Sequence, residues 1–229
     1  HLLSYFESTV IRHIPMSLSS GPYQDYALYG TVTSLVLANV LFFDKFKDFV
    51  SPFQKPNAIH FQVPTIQCIL RFSQRAIASA FSHAQASHLA FNMATLTFLS
   101  AGLKKNDSGS VHLLALYGSG AIGGALGHTL MSSASRVQGA SGAVCAVAAA
   151  LPLLEDKSTP STLFLVPPVE IPVSWGSALV LLALLNPRDI VARGARLSLG
   201  AHVGGAAVGG IYGATHVCST YLWAMPQKY

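Results

Sequence analysis

Long intervals without charge constrain this chain more than any other feature of its sequence. No Asp, Glu, Lys or Arg lies in 27–43, 76–103, 111–135, 137–154, 171–187 or 197–227. A helix needs ~20 mostly apolar residues to cross the hydrocarbon of a bilayer. Each interval reaches or approaches that length. The first can extend back to Tyr23, and 137–154 is short enough to start part-way down the membrane, where protein surrounds its end. Charged residues make up 10% of the 229 and hydrophobic ones 51%, whereas a soluble domain carries about 25% charged residues. So few charges cannot clothe a soluble surface, and so much apolar surface excludes disorder. Three cysteines are too sparse for a disulfide scaffold. The expected fold is all-α: one polytopic bundle of six transmembrane helices over 27–227, after an N-terminal segment, 1–26.

The charges punctuate this bundle. The first loop, 44–75, is long, and its Pro52, Pro56 and Pro64 argue against one continuous helix. The net charge of +5 belongs to helix ends, so it points to the membrane surface and not to nucleic acid. Lys and Arg number nine in the first, third and fifth loops and five elsewhere. The positive-inside rule then puts the first loop on the cytoplasm-like or matrix-like side. The chain begins with His1 and not Met, which reads as a fragment or processed form.

Polar residues inside the intervals are costly in lipid and mark function. His88 and Asn92 are four apart and share a helix face. Ser141 lies in Gly139-Ala140-Ser141-Gly142, and His202 in His202-Val203-Gly204-Gly205. The 111–135 interval carries Gly118, Gly120, Gly123, Gly124 and Gly127. No interval contains a carboxylate, which excludes an aspartyl dyad and an embedded Ser-His-Asp triad. No His-Glu-x-x-His occurs, so a metalloprotease is excluded too. A Ser–His dyad remains, with Ser141 as nucleophile and His202 as general base. A neutral imidazole tolerates a low-dielectric site better than a carboxylate does.

Small residues support an approach of the two helices. Ser141, Cys145 and Ala148 share one face of the fourth interval; His202, Gly205 and Gly209 share one face of the sixth. Gly139 and Gly142 suit a tight turn whose amides approach a substrate carbonyl. The amide of Ser141, with His88 and Asn92, could then stabilise the oxyanion.

His-x-x-x-Asn, Gly-x-Ser-Gly and His-x-x-Gly-x-x-x-Gly, in that order and in separate intervals, resemble the rhomboid intramembrane serine proteases. The resemblance covers roughly 26–225. The wording around Phe81-Ser82-His83, Gly139-Ala140-Ser141-Gly142-Ala143 and Ala201-His202-Val203-Gly204-Gly205-Ala206 looks most like the mitochondrial, presenilin-associated rhomboid-like branch. It implies a mitochondrial inner-membrane serine endopeptidase that acts on transmembrane segments of single-pass proteins within the lipid bilayer. It also implies a further span upstream of the six-helix core. Ser141 and His202 match the dyad, and His88, Asn92 and the Ser141 amide match the oxyanion site. His83 matches a structural histidine, and Arg75 the arginine of a Trp-Arg pair. The chain departs from the pattern at Gln74, where many members have Trp, and at Cys145, where many have a Tyr stacked on the catalytic histidine. By resemblance alone, 171–187 and the loop after it form the substrate gate.

Blander roles exist for each residue. Ser141 alone could be a helix cap, His202 a packing histidine, and His88 and Asn92 polar glue between helices. A metal site from His83, His88 and His202 would have no supporting carboxylate, so neither metal nor cofactor is expected. His112, His128 and His216 belong to no motif. A catalytically silent, client-binding relative is the main rival, and a small transporter is a second. A silent relative would lack Ser or His, and a transporter would need charged groups along its path.

Overall fold

The computed structural model describes residues 22–43, 66–83, 85–103, 108–131, 137–154, 162–166, 169–172, 177–178 and 199–224. Its helices are α1 (Pro22–Leu41), α2 (Ile66–Ala80), α3 (Ala86–Ser100), α4 (Gly109–Met131), α5 (Ser141–Leu154) and α6 (Leu199–Ala224). A 3-10 turn, Ala101–Leu103, extends α3. A short antiparallel hairpin, β1 (Thr162–Val166) with β2 (Val169–Pro172), follows α5, so among the described residues the architecture is helical with one small β element.

Two clusters of buried side chains hold the bundle. The larger joins Leu28, Val32 and Leu35 of α1 to Met93, Leu96 and Leu99 of α3, Leu113 and Leu116 of α4, and Val144, Val147 and Leu151 of α5. The smaller joins Ala76 of α2, Ala125 of α4, Val137 and Ala201 of α6. A buried polar clamp ties three helices together. The Asn39 amide donates to Leu35 O at 2.8 Å and to Tyr117 Oη at 2.9 Å. Tyr117 Oη in turn reaches Ala80 O, the last residue of α2, at 3.4 Å.

Helices α4, α5 and α6 touch backbone to backbone. A Cβ at Gly127 would strike Gly200 O, one at Gly204 would strike Gly123 O, one at Gly205 would strike Gly142 O, and one at Gly209 would strike Ala146 O. Small residues permit this approach, as between helices packed in membranes.

Several expectations shift. The interval 76–103 is not one helix: α2 runs through Arg75 to Ala80, the chain turns at Phe81–His83, and α3 starts at Ala86. The turn places the polar side chains of Ser82 and His83 in the interior instead of on a lipid-facing surface. Part of the expected first loop is therefore helical, beginning two residues after Pro64, as a proline boundary would allow. The fifth expected span cannot begin at Ile171, because Ile171 and Pro172 close β2. Residues 177 and 178 are helical, and the rest of that interval lies outside the described residues.

Among the described residues, no helix is long and apolar enough to cross a membrane by itself. The physical reason differs between helices. At 15 and 14 residues, α3 and α5 are short. In α4 and α6 the length is present, but the glycines that pack closely, together with histidines and hydroxyl residues, dilute the hydropathy.

Candidate active site

The segment that carries Ser141 is pinned from outside its own helix. Gly139 has φ +111°, a left-handed value that L side chains rarely adopt. A Cβ there would also lie 2.5 Å from His88 Cε1, so the position needs glycine for both reasons. The Gly139 N–H donates to Ser79 O at 3.0 Å, in the last turn of α2. The Ala140 N–H donates to His83 Nε2 at 3.2 Å. Val144 N–H then donates to Ala140 O at 2.9 Å and opens α5. Ser141 is thus the first residue of α5, where backbone N–H groups lack intrahelical acceptors. It is buried, at 7% exposure.

Asn92 is buried on α3, and its Nδ2 lies 3.1 Å from His83 Nε2. Two N–H donors therefore converge on one ring nitrogen, which must carry a lone pair and leaves the His83 proton on Nδ1. Asn92 Oδ1 is buried with no hydrogen-bond partner. The His88 ring meets that of His83 edge-on, with centroids 5.2 Å apart.

His202 lies in the first turn of α6 and is buried. Its turn is held against Ser141's by the contact of Gly205 with Gly142 O, and by Gly142 facing Ala201 O. The two expected faces of small residues meet, but one residue further along α5. Gly205 opposes Gly142 and Gly209 opposes Ala146, in place of Ser141 and Cys145. On α6 it is Gly205 and Gly209 whose missing Cβ lets the α5 carbonyls of Gly142 and Ala146 come this close. The shift keeps the Ser141 side chain off the backbone contact. Cys145 is fully buried one turn below Ser141.

The structure thus brings His83, His88, Asn92, Gly139, Ser141 and His202 into one region where α3, α5 and α6 meet. Arg75 is exposed on α2 and is not part of it. Three further residues support the region and escaped sequence reasoning. Ser79 acts through its backbone carbonyl, which leaves no signal in sequence. Asn39 and Tyr117 were visible as polar groups in apolar intervals, but nothing in the chain paired them.

Among the described residues no group of three or more His, Cys, Asp or Glu side chains could hold a metal ion. The arrangement can offer a serine hydroxyl, an imidazole, and amide donors above a helix N-terminus.

The comparisons with known proteins agree with this geometry at the level of family. No curated protein matches the chain. The family model for the Rhomboid domain matches residues 73–218, from α2 to the last turns of α6, well over half of the chain. Most members of that family are intramembrane serine proteases and some are inactive; they act in the lipid bilayer as multi-pass proteins. His83, His88, Asn92, Gly139, Ser141 and His202 all lie inside the match, and the chain belongs to the rhomboid family.

Proposed function

We propose that this rhomboid is an active intramembrane serine endopeptidase with Ser141 as nucleophile and His202 as general base. The observation that carries the reading is the glycine-to-backbone contact of α6 on α5, which holds the turn of His202 against the turn of Ser141. Ser141 Oγ attacks a peptide carbonyl while His202 takes its proton. His202 then returns that proton to the leaving amine, and water hydrolyses the acyl-enzyme by the same path in reverse. The Ser141 amide, Asn92 and His88 surround the place where the oxyanion develops.

The substrate is a single-pass membrane protein whose helix unwinds locally to expose a carbonyl. The enzyme sits in the bilayer as a bundle of six spans, its short helices shielded by their neighbours. Its α4–α6 contacts are of the kind that bilayer packing favours. The wording of the three motifs favours the mitochondrial inner membrane, and fractionation of a tagged chain tests that placement. Cleavage of a transmembrane substrate in proteoliposomes tests the activity. Wild type should cut, and Ser141→Ala and His202→Ala should not. Undiminished cleavage by Ser141→Ala would remove the mechanism, and a wild type inert on every transmembrane substrate would favour a silent client-binding member.

A further inference from the structure

A second histidine cluster lies between α4 and α6, at the far end of α6 from His202. His112 sits in the first turn of α4, buried at 5% exposure. Its Nδ1 lies 2.8 Å from Tyr212 Oη on α6. The His216 ring stands edge-on to it, with centroids 4.8 Å apart and planes at 83°. Tyr212 and His216 are four apart on α6 and share the face turned to α4. His202 is fourteen residues back along α6, or about 21 Å away at the helical rise. Nothing in the catalytic reading uses these three side chains.

We infer that His112 and His216 form a divalent transition-metal site, of the zinc, copper or nickel class, that clamps α4 to α6. Three features of the cluster support it. Two imidazoles bound to one ion at about 2.1 Å and a tetrahedral angle have centroids about 5 Å apart. The observed separation is close to that spacing, and rotation of the half-buried His216 ring out of its edge-on packing, with no shift of either helix, would turn its nitrogen toward an ion on His112. The Tyr212 hydroxyl occupies His112 Nδ1, the place of the outer hydrogen bond that orients a ligating histidine and leaves Nε2 for the ion. Access is also available. His216 is only half-buried, and His112 is one turn from the start of α4, so an ion need not pass through the bundle. Imidazole is a ligand type that suits these metals. Two protein ligands leave the remaining positions to water, so the site is one of modest affinity and not a structural cage.

The test uses the full chain carrying Ser141→Ala, purified in detergent and freed of metal with a chelator. Its outcome is therefore separate from whether the chain is a protease. Zinc is titrated against a competing chromophore, and the thermal midpoint is read with and without zinc. One saturable site is expected. His216→Ala, at a half-buried position that tolerates truncation, should weaken it at least tenfold and abolish the zinc-induced rise in midpoint. Tyr212→Phe should weaken it severalfold, and His128→Ala should leave it unchanged. Copper-loaded protein should show nitrogen coupling in its electron paramagnetic resonance spectrum, and His216→Ala should lose it. The inference fails if His216→Ala, folded by its zinc-free midpoint, binds zinc as tightly as the parent. It also fails if the parent shows no saturable site below about 100 μM.

Discussion

Replacing Gly205 with alanine isolates the contact on which the site depends. The new methyl carbon would lie 2.8 Å from Gly142 C and 3.0 Å from Gly142 Cα, and would press hardest on Gly142 O. Backbone cannot rotate away as a side chain would. Ordinary contact therefore requires α6 to retreat from α5 by at least about half an ångström, and more at the oxygen. Overpacking of this kind costs about 1–3 kcal/mol of stability. A misplacement of about 1 Å in a catalytic pair can cost about a hundredfold in rate. Gly205→Ala should therefore lower kcat on a transmembrane substrate by one to two orders of magnitude, with a smaller change in KM. Gly210→Ala is the matched control: a Cβ there meets nothing within 4 Å. It adds the same methyl to the same helix and should leave the rate unchanged while raising the thermal midpoint slightly, since alanine favours a helix interior over glycine. Initial rates in proteoliposomes and melting in detergent give the two readouts. If Gly205→Ala cleaves at the wild-type rate and melts at the wild-type temperature, the close contact of α5 and α6 does not set the geometry of the dyad.

Other substitutions probe the supports around Ser141. His83→Ala removes the acceptor shared by the Ala140 N–H and the Asn92 amide; leaving buried donors unpaired costs about 1–3 kcal/mol, so kcat should fall by roughly tenfold or more. Asn92→Ala should lower kcat by about a hundred- to a thousandfold if its amide meets the oxyanion, with substrate binding nearly unchanged in a KM measurement. Tyr117→Phe deprives the buried Asn39 amide of a partner, and the thermal midpoint should drop by about 2–8 °C.

The apolar intervals made a helical bundle legible because most of the chain's charges fall between helices, with Asp25 in α1 and Arg71 and Arg75 in α2 as exceptions. α1, α4 and α6 start and end close to the uncharged runs that predicted them. The interval 76–103 misled for a specific reason. Ser82 and His83 carry no formal charge, so a charge-based reading passes over the turn that separates α2 from α3. Hydropathy could not place that turn either, since His83 is buried by tertiary contacts to Ala140 and Asn92. The hairpin Thr162–Pro172 follows the charged run after α5, and charges that mark a turn between intervals do not distinguish a loop from a hairpin. In the candidate site the side chains could be listed from sequence, because Ser, His and Asn are rare and costly in apolar surroundings. Their supports could not. Ser79 contributes a main-chain oxygen, and Gly205 and Gly209 of α6 meet main-chain atoms of Gly142 and Ala146, a one-residue difference in register that spacing alone does not resolve. The Asn39–Tyr117 pair is separated by 78 positions and carries no local signature.

The central claim is that Ser141 is a nucleophile activated by His202. It is tested most directly by reacting the purified protein with a fluorophosphonate and locating the adduct by peptide mass spectrometry. The account predicts one modified serine, Ser141, in the wild type. It predicts loss of that adduct in His202→Ala, whose folding is checked by its melting temperature. An unlabelled Ser141 in the wild type, or labelling that persists undiminished in His202→Ala, would contradict it.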